Sequence, residues 1–286
     1  MSIITLTTDM GLRDHYVSSL KGAIYAQLED ATIVDISHEV SPFNISQAAY
    51  FLKNVIRDFP TGTIHVIGVD AEPNVNFSQP SESELPMIMK FKDQYFVGVN
   101  NGLFSLILEN NKHQEIWELD DVLSQPELMN FPTKNILVPA ACKLARGEDC
   151  KTFCSEASAI KRAIPLSPVL EGHTLKGSVT HIDHYGNIIT NIDKEDFYRL
   201  GRNIPFIIYF RQKEYFIDKI SIGYNDVPPG EKVAIFNDAG NLEIAINKGT
   251  PDNGGGASAL FGLRLKDIIR IEFTPRGSRE TLESLF

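Results

Sequence analysis

Cysteine is scarce in this chain: Cys142, Cys150 and Cys154 are all there is. A small, odd number implies no disulfide framework. Cys150 and Cys154 have too little histidine around them for a zinc site, so no metal is expected. Positive charge is also in deficit. Against 37 Asp and Glu there are 27 Lys and Arg, for a net charge of -10 and an isoelectric point near 5.2. That balance argues against a nucleic-acid or anionic-membrane partner and suits a cationic small molecule. No apolar run approaches the length of a membrane span. The first residues lack a basic region followed by an apolar core and small residues. A cytoplasmic, reduced location is the expectation. Internal repeats and low-complexity tracts are absent as well.

With 286 residues, 43% of them hydrophobic, and a mean hydropathy of -0.11, the chain reads as soluble and globular, with room for two ordinary domains. Its first half alternates strand and helix. Ile3 to Leu6 is a buried strand, and a polar turn with Gly11 at its tip leads to a helix from Tyr16 to Leu28. Thr32 to Ile36 is a second strand, Asn44 to Phe59 a second helix, and Thr63 to Val69 a third strand ending at Asp70. A polar loop, Ala71 to Pro86, precedes a hairpin, Met87–Phe91 and Gln94–Val99 around Lys92-Asp93. Helices are expected over Asn101 to Leu108 and Asn135 to Ala145. Beyond Pro165 the chain turns strand-rich, with short strands separated by turns. The predicted architecture is an α/β domain over 1–165 with a mixed, largely parallel sheet, a linker at 166–173, and a smaller all-β, barrel-like domain over 174–286.

Two stretches carry chemistry. Asp9 and Asp14 flank Gly11 between the carboxyl end of a strand and the first turn of a helix, where ligands bind in open α/β sheets. Acceptor-only carboxylates there suit the vicinal hydroxyls of a ribose, or an ammonium group. Asp14 alone would read as a helix cap. The second stretch is Ile182-Asp183-His184-Tyr185-Gly186-Asn187. It reads equally as a self-satisfied hairpin turn and as a site in which Asn187 matches an adenine edge and Asp183 meets an ammonium.

A set of motifs then recurs in one family's order. It comprises Thr8-Asp9-x-Gly11-x-x-Asp14, Lys21-Gly22, Val34-Asp35-Ile36-Ser37-His38 before Pro42-Phe43, Phe59-Pro60-x-Gly62-Thr63, Val69-Asp70 and Asn100-Asn101-Gly102-Leu103. Pro139-Ala140-Ala141, Ile182-Asp183-x-Tyr185-Gly186-Asn187 and Gly240-x-Leu242-Glu243-Ile244-Ala245 complete it. The chain resembles the adenosine-forming S-adenosyl-L-methionine hydrolases, or SAM hydroxide adenosyltransferases, which are related to the fluorinases and chlorinases. The resemblance spans nearly the whole chain. It implies a homotrimer with substrate between subunits, S-adenosylmethionine as substrate, and no cofactor. It implies that Asp9 holds the ribose hydroxyls and that Phe43 packs on the sugar, with Phe131 and Thr133 also lining the substrate. Asp14 and Asp183 would face the methionine ammonium, and Asn187 would read adenine. Asn237 and Asp238 would lie at the methionine carboxylate, where the family usually carries serine at the second position.

The resemblance also implies that Asp70 belongs to an Asp-Arg-His set that activates water. Here the sequence departs. No arginine occurs between Arg57 and Arg146, and Pro132 stands where the family has the histidine. Lys134 or His65 could stand in electrostatically, although His65 lies mid-strand, where a histidine usually serves the core. Three readings follow: a hydrolase using Asp70 and a rearranged loop, a binding protein without turnover, or a related displacement enzyme with another nucleophile.

Overall fold

The computed structural model describes residues 2–76, 78–79, 83–108, 114–119, 125–202, 204–250, 252 and 255–274. The chain divides into two compact units, Met1–Pro165 and Leu166–Phe286. Part of the expected loop from Ala71 to Pro86 (residues 77 and 80–82) lies outside the described residues.

The first unit starts β1 (Ile3–Thr8), α1 (Tyr16–Tyr25), β2 (Thr32–Ser37), α2 (Ile45–Val55), β3 (Ile64–Gly68). The hairpin β4 (Pro86–Phe91) and β5 (Gln94–Val99) follows, then α3 (Leu103–Leu108), β6 (Glu115–Leu119), α4 (Val138–Ala145) and β7 (Cys154–Glu156). Among the described residues these strands form a sheet in the order β2-β1-β3-β5-β4-β6-β7. Pairing is parallel from β2 through β1 and β3 to β5 and antiparallel from there to β7. The mixed sheet of the sequence reading is therefore present. Strands β6 and β7, which it did not include, extend the antiparallel edge. They are short and carry charge, so apolar runs alone do not reveal them.

The central strands β1 and β3 are buried along nearly their whole length because both faces of the sheet are covered there. Leu20 and Ile24 of α1 pack with Ile4, Leu6, Ile64 and Val66, whereas Ala48, Ala49 and Leu52 of α2 pack with Ile67, Val69 and Phe104. The chain leaves β1 for β2 on one side and returns to β3 on the other. That reversal makes a crevice at the carboxyl ends of β1 and β3, where open α/β sheets bind ligands. The cysteines are all buried, and burial pushes the Cys142 and Cys150 thiols up to about 11, which makes them poor nucleophiles.

The expected helix from Asn135 begins as something else. Thr133–Leu137 is a turn of π-helix, because Pro139 has no N–H to give to the carbonyl four residues back. The Val138 N–H reaches the Thr133 carbonyl instead. Such turns inside helices are frequent at functional sites.

The second unit contains β8 (Val169–Glu171), β9 (Thr174–Ile182), β10 (Ile188–Asp193), α5 (Lys194–Gly201), β11 (Phe206–Phe210), β12 (Gln212–Ile217), β13 (Lys232–Phe236), β14 (Asn241–Ile246), α6 (Ala257–Phe261) and β15 (Ile268–Phe273). The order β12-β11-β15-β9-β10-β14-β13 is antiparallel throughout and nearly closes into a barrel, and β8 pairs with β9. Part of the stretch expected as linker is thus an edge strand. Helix α5 was not foreseen either, although Asp193 caps it by accepting the Asp196 N–H at 2.6 Å. Its Phe197 is buried against Phe206, Phe236 and Phe273, so tertiary contact rather than length stabilises it.

Candidate active site

Asp9 follows directly on β1, and its Oδ2 accepts two backbone N–H groups, from Phe43 at 2.9 Å and from Asp70 at 3.3 Å. One carboxylate oxygen thereby ties together the turns after β2 and β3. Both donors sit in the left-handed region, Phe43 at φ 62° and Asp70 at φ 46°. For residues with a Cβ this is unfavourable, and such strain persists where the surroundings over-determine it. The first turn is held as well. The Gly11 N–H bonds the His38 carbonyl at 2.8 Å, and Thr8 Oγ1 lies 2.8 Å from His38 Nδ1. His38 Nε2 in turn lies 3.2 Å from Asp35, which pairs with Lys21 at 2.6 Å. The Lys21, Asp35 and His38 motif residues therefore buttress the turn that presents Asp9.

Asp70 is fixed from its other side too. Asn101 Nδ2 donates to the carbonyls of Asp70, at 2.9 Å, and Val69, at 3.2 Å. Burial raises the Asp70 carboxyl above its ordinary value. Glu84, Glu72 and Asp9 push it further up, and Lys161 pulls it down. A raised carboxylate is a better proton acceptor near neutrality.

Thr133 is buried and lies over Gly68, the last residue of β3. A Cβ at Gly68 would come within 2.7 Å of Thr133 Cγ2 and 2.8 Å of its Oγ1. Gly68→Ala is accordingly expected to destabilise the protein by about 1–3 kcal/mol through overpacking. Denaturant unfolding checks this, and an unchanged midpoint would show that Thr133 yields freely. Phe131 packs edge-on against Tyr16 with ring centroids 5.7 Å apart. Phe43 is 67% exposed, an open aromatic face beside Asp9. Asp14 is exposed. It does not cap α1, whose N-cap is His15. His65 is a core residue: Nδ1 lies 2.8 Å from Thr5 Oγ1 and Nε2 2.9 Å from Gln94 Oε1. Its burial, the larger effect, lowers it to about 4 against the Gln94 bond, so it carries no charge at neutrality and cannot replace the missing cation.

In the second unit, Asp183 organises the turn between β9 and β10. Its Oδ1 accepts the N–H groups of Tyr185, at 2.9 Å, and Asn187, at 2.8 Å, while Oδ2 accepts from Asn187 Nδ2 at 3.0 Å. A carboxylate has about four acceptor positions, so one remains for a ligand. The turn is backed by the start of α6, because the Ser258 N–H bonds the Gly186 carbonyl at 2.9 Å. A Cβ at Gly256 would lie 2.3 Å from the Tyr185 carbonyl, so only glycine allows this approach. Asn237 bridges its own turn, accepting from the Asn241 N–H at 3.0 Å and donating to Glu243 Oε2 at 3.2 Å. Asp238 is exposed.

Glu243 was not singled out from the sequence as a site residue. It is 4% exposed and receives the Tyr224 hydroxyl at 2.5 Å. Burial raises it, the bonds from Tyr224 and Asn237 lower it, and Asp183 adds a smaller upward push, leaving it raised overall. One carboxylate inside the apolar run Leu242 to Ile246 was the available signal. Glu84 and Lys161 were missed as well, since neither stands in a motif.

The profile of the SAM hydroxide adenosyltransferase N-terminal domain matches residues 4–154, and that of the C-terminal domain matches residues 177–270. A protein named (R)-S-adenosyl-L-methionine hydrolase from Methanocaldococcus jannaschii is 35% identical over 68% of this chain and 69% of its own length. A fluorinase from an Actinoplanes species is 23% identical over 86% of this chain and 91% of its own. Among solved structures, a conserved protein from Thermotoga maritima described as uncharacterised has a TM-score of 0.78 and 29% identity. The match covers 95% of this chain and 99% of that one. Matched in order by both domain profiles, this chain belongs to the SAM hydroxide adenosyltransferase family.

Proposed function

We propose that the protein hydrolyses S-adenosyl-L-methionine to adenosine and L-methionine. The observation that carries this reading is the Asp9 carboxylate at the sheet's reversal point, with one oxygen holding the strained Phe43 and Asp70 backbones. Its Oδ1 is assigned to the ribose hydroxyls, and the exposed Phe43 ring to the sugar face. Asp70, in the turn after β3 that the same Asp9 oxygen holds, is assigned to the attacking water. Phe131 and Thr133 line the substrate, with Asp14 and Asp183 toward the ammonium. Asn187 takes the adenine edge, and Asn237 and Asp238 take the methionine end. Asp183 and Asn187 already bond one another, which fixes the direction of the Asn187 amide. The assembly in this reading is a homotrimer, each site completed by a neighbouring subunit.

The chemistry needs no resident metal or cofactor. The sulfonium is a good leaving group because it departs as a neutral thioether. Water oxygen attacks C5′ opposite the sulfur, the C5′–O bond forms, and the C5′–S pair withdraws onto sulfur. The water proton passes to Asp70 and then to solvent. Free water, with a pKa of about 15.7, is too weak a nucleophile alone. The protein's contribution is alignment and a proton acceptor, with the upward-shifted carboxyl of Asp70 suited to the second.

A second reading, ligand binding without turnover, is favoured by the acidic surroundings of Asp70 and by Pro132. Incubation with S-adenosylmethionine followed by chromatography separates the two, with Asp70→Asn run beside the wild type. Adenosine and methionine from the wild type alone are the expected result. Tight binding by calorimetry with no adenosine would leave the binding reading standing.

A further inference from the structure

Glu243 is a buried carboxylate that the proposed chemistry does not use. It faces Ile189 on β10 and Ile235 on β13, so it stands between the Asn187 turn on one side and the Asn237 turn on the other. Side chains two apart on a strand share a face, and Ala245 and Ile235 on that face pack with Val233. The segment after β12 covers them. Val227 packs on the same three residues, the Ser221 N–H bonds the Ala234 carbonyl at 2.8 Å, and the Tyr224 hydroxyl donates to Glu243 Oε1 at 2.5 Å. A buried carboxylate costs the fold more than an apolar side chain of its size would. Its second oxygen points to what it is kept for: Glu243 Oε2 accepts from Asn237 Nδ2 at 3.2 Å.

An asparagine amide has one oxygen and two N–H groups. The Asn237 oxygen accepts the Asn241 N–H at 3.0 Å, and one of its N–H groups goes to Glu243. A flipped amide would set donor against donor at Asn241 and oxygen against carboxylate at Glu243, so its direction is fixed. One N–H is left over, on a residue that is only half-buried. We propose that Glu243 is a positioning residue that locks the Asn237 amide so that its remaining N–H donates to the carboxylate end of the ligand, and so favours ligands that carry a carboxylate there. The inference rests on the S-adenosylmethionine reading for its ligand but not for the lock itself. With its other groups committed, Asn237 meets the ligand as a donor, which matches a carboxylate and not an ammonium. Asp238 beside it is exposed and when ionised can only accept.

The test compares Kd for S-adenosylmethionine with Kd for its decarboxylated analogue, which keeps the adenosyl, sulfonium and amine groups. Calorimetry is run in the Asp70→Asn background, where turnover does not interfere. A general loosening of the fold weakens both ligands alike and leaves their ratio unchanged. Glu243→Leu is expected to lower the preference for the carboxylate ligand about tenfold, the loss of one hydrogen bond to a charged group. Glu243→Gln, whose amide oxygen can still accept from Asn237, is expected to restore most of it. Asn237→Ala is expected to match Glu243→Leu, and the double variant to lose no more than either. A preference unchanged in Glu243→Leu, or lost further in the double variant, would overturn the assignment. The lock is read without ligand from the nitrogen-15 side-chain amide resonance of Asn237 in asparagine-labelled protein, assigned by its loss in Asn237→Ala and expected to shift in Glu243→Leu. If the protein binds neither ligand while that resonance shifts, the S-adenosylmethionine reading fails and the positioning of Asn237 stands. If S-adenosylmethionine binds and the resonance does not shift, the reverse holds.

Discussion

Asp9→Ala is expected to abolish S-adenosylmethionine binding, weakening Kd by about 100-fold or more in calorimetry. Two hydrogen bonds from ribose hydroxyls to a carboxylate are worth about 3 kcal/mol together at the lower end. The substitution also removes the acceptor of the Phe43 and Asp70 N–H groups. Both residues hold a left-handed backbone, and without that anchor the strain can relax. The sugar-facing aromatic and the proton acceptor would be displaced together. Asp9→Asn separates the two contributions, since its amide oxygen can still accept both N–H groups while the charge is lost. Intermediate affinity is expected there. Wild-type affinity in Asp9→Ala would remove Asp9 from the ribose and with it the orientation of the proposed site.

Asp70→Asn is expected to leave binding intact and to lower kcat by about 10²–10⁴-fold, the usual contribution of a positioned proton acceptor. An undiminished rate would exclude Asp70 from the chemistry. The raised carboxyl has two further consequences. Activity requires the ionised form, so kcat/KM should fall on acidification through a midpoint above the ordinary aspartate value. The stability effect runs the other way. A carboxyl raised on folding adds stability that is fully present below its unfolded value and is lost as pH rises through its folded value. At neutral pH the ionised Asp70 is therefore a burden on the fold, through burial and the nearby Glu84, Glu72 and Asp9. Asp70→Asn removes that burden, and its thermal midpoint at pH 7 is expected to lie above the wild type's, with the difference vanishing in acid. A variant that is more stable and less active is the signature of a residue kept for its chemistry.

Much of the architecture was legible because its signals are local. The strands β1 and β3 are apolar runs with a glycine or polar turn at the end. The hairpin β4–β5 shows two apolar segments around Lys92 and Asp93, which adopt φ 52° and 57° as a two-residue turn of the mirror-image type requires. The helix expected from Asn135 was harder, since its π turn depends on Pro139, four residues after the turn's middle. Strands β6, β7 and β8 and the helices α5 and α6 are short, and their stability comes from neighbours rather than from their own pattern. Phe197 in α5 makes the point, being buried by three other rings that arrive from elsewhere in the chain.

The site divides in the same way. Asp9, Asp14, Asp183, Asn187 and Asn237 stand in turns whose spacing a reader can recognise, and the family follows from those motifs alone. What each carboxylate has left to offer is a tertiary matter. Asp14 is free of a capping role because His15 is the N-cap of the helix, and Asp183 commits most of its acceptor capacity to its own turn. His65, which its mid-strand position already marked as a core residue, is held there by Thr5 and Gln94. The charge balance at Asp70 was unreadable, because Coulomb interactions depend on distance in space and burial. Sequence by itself determined the two-part α/β and β-barrel-like plan and the identity of the acidic turns. Only the tertiary structure decided which charges meet, because strands β1, β3 and β5 bring Asp9, Asp70 and the Asn100-Asn101 pair into register and Asn100 draws Lys161 to the same corner.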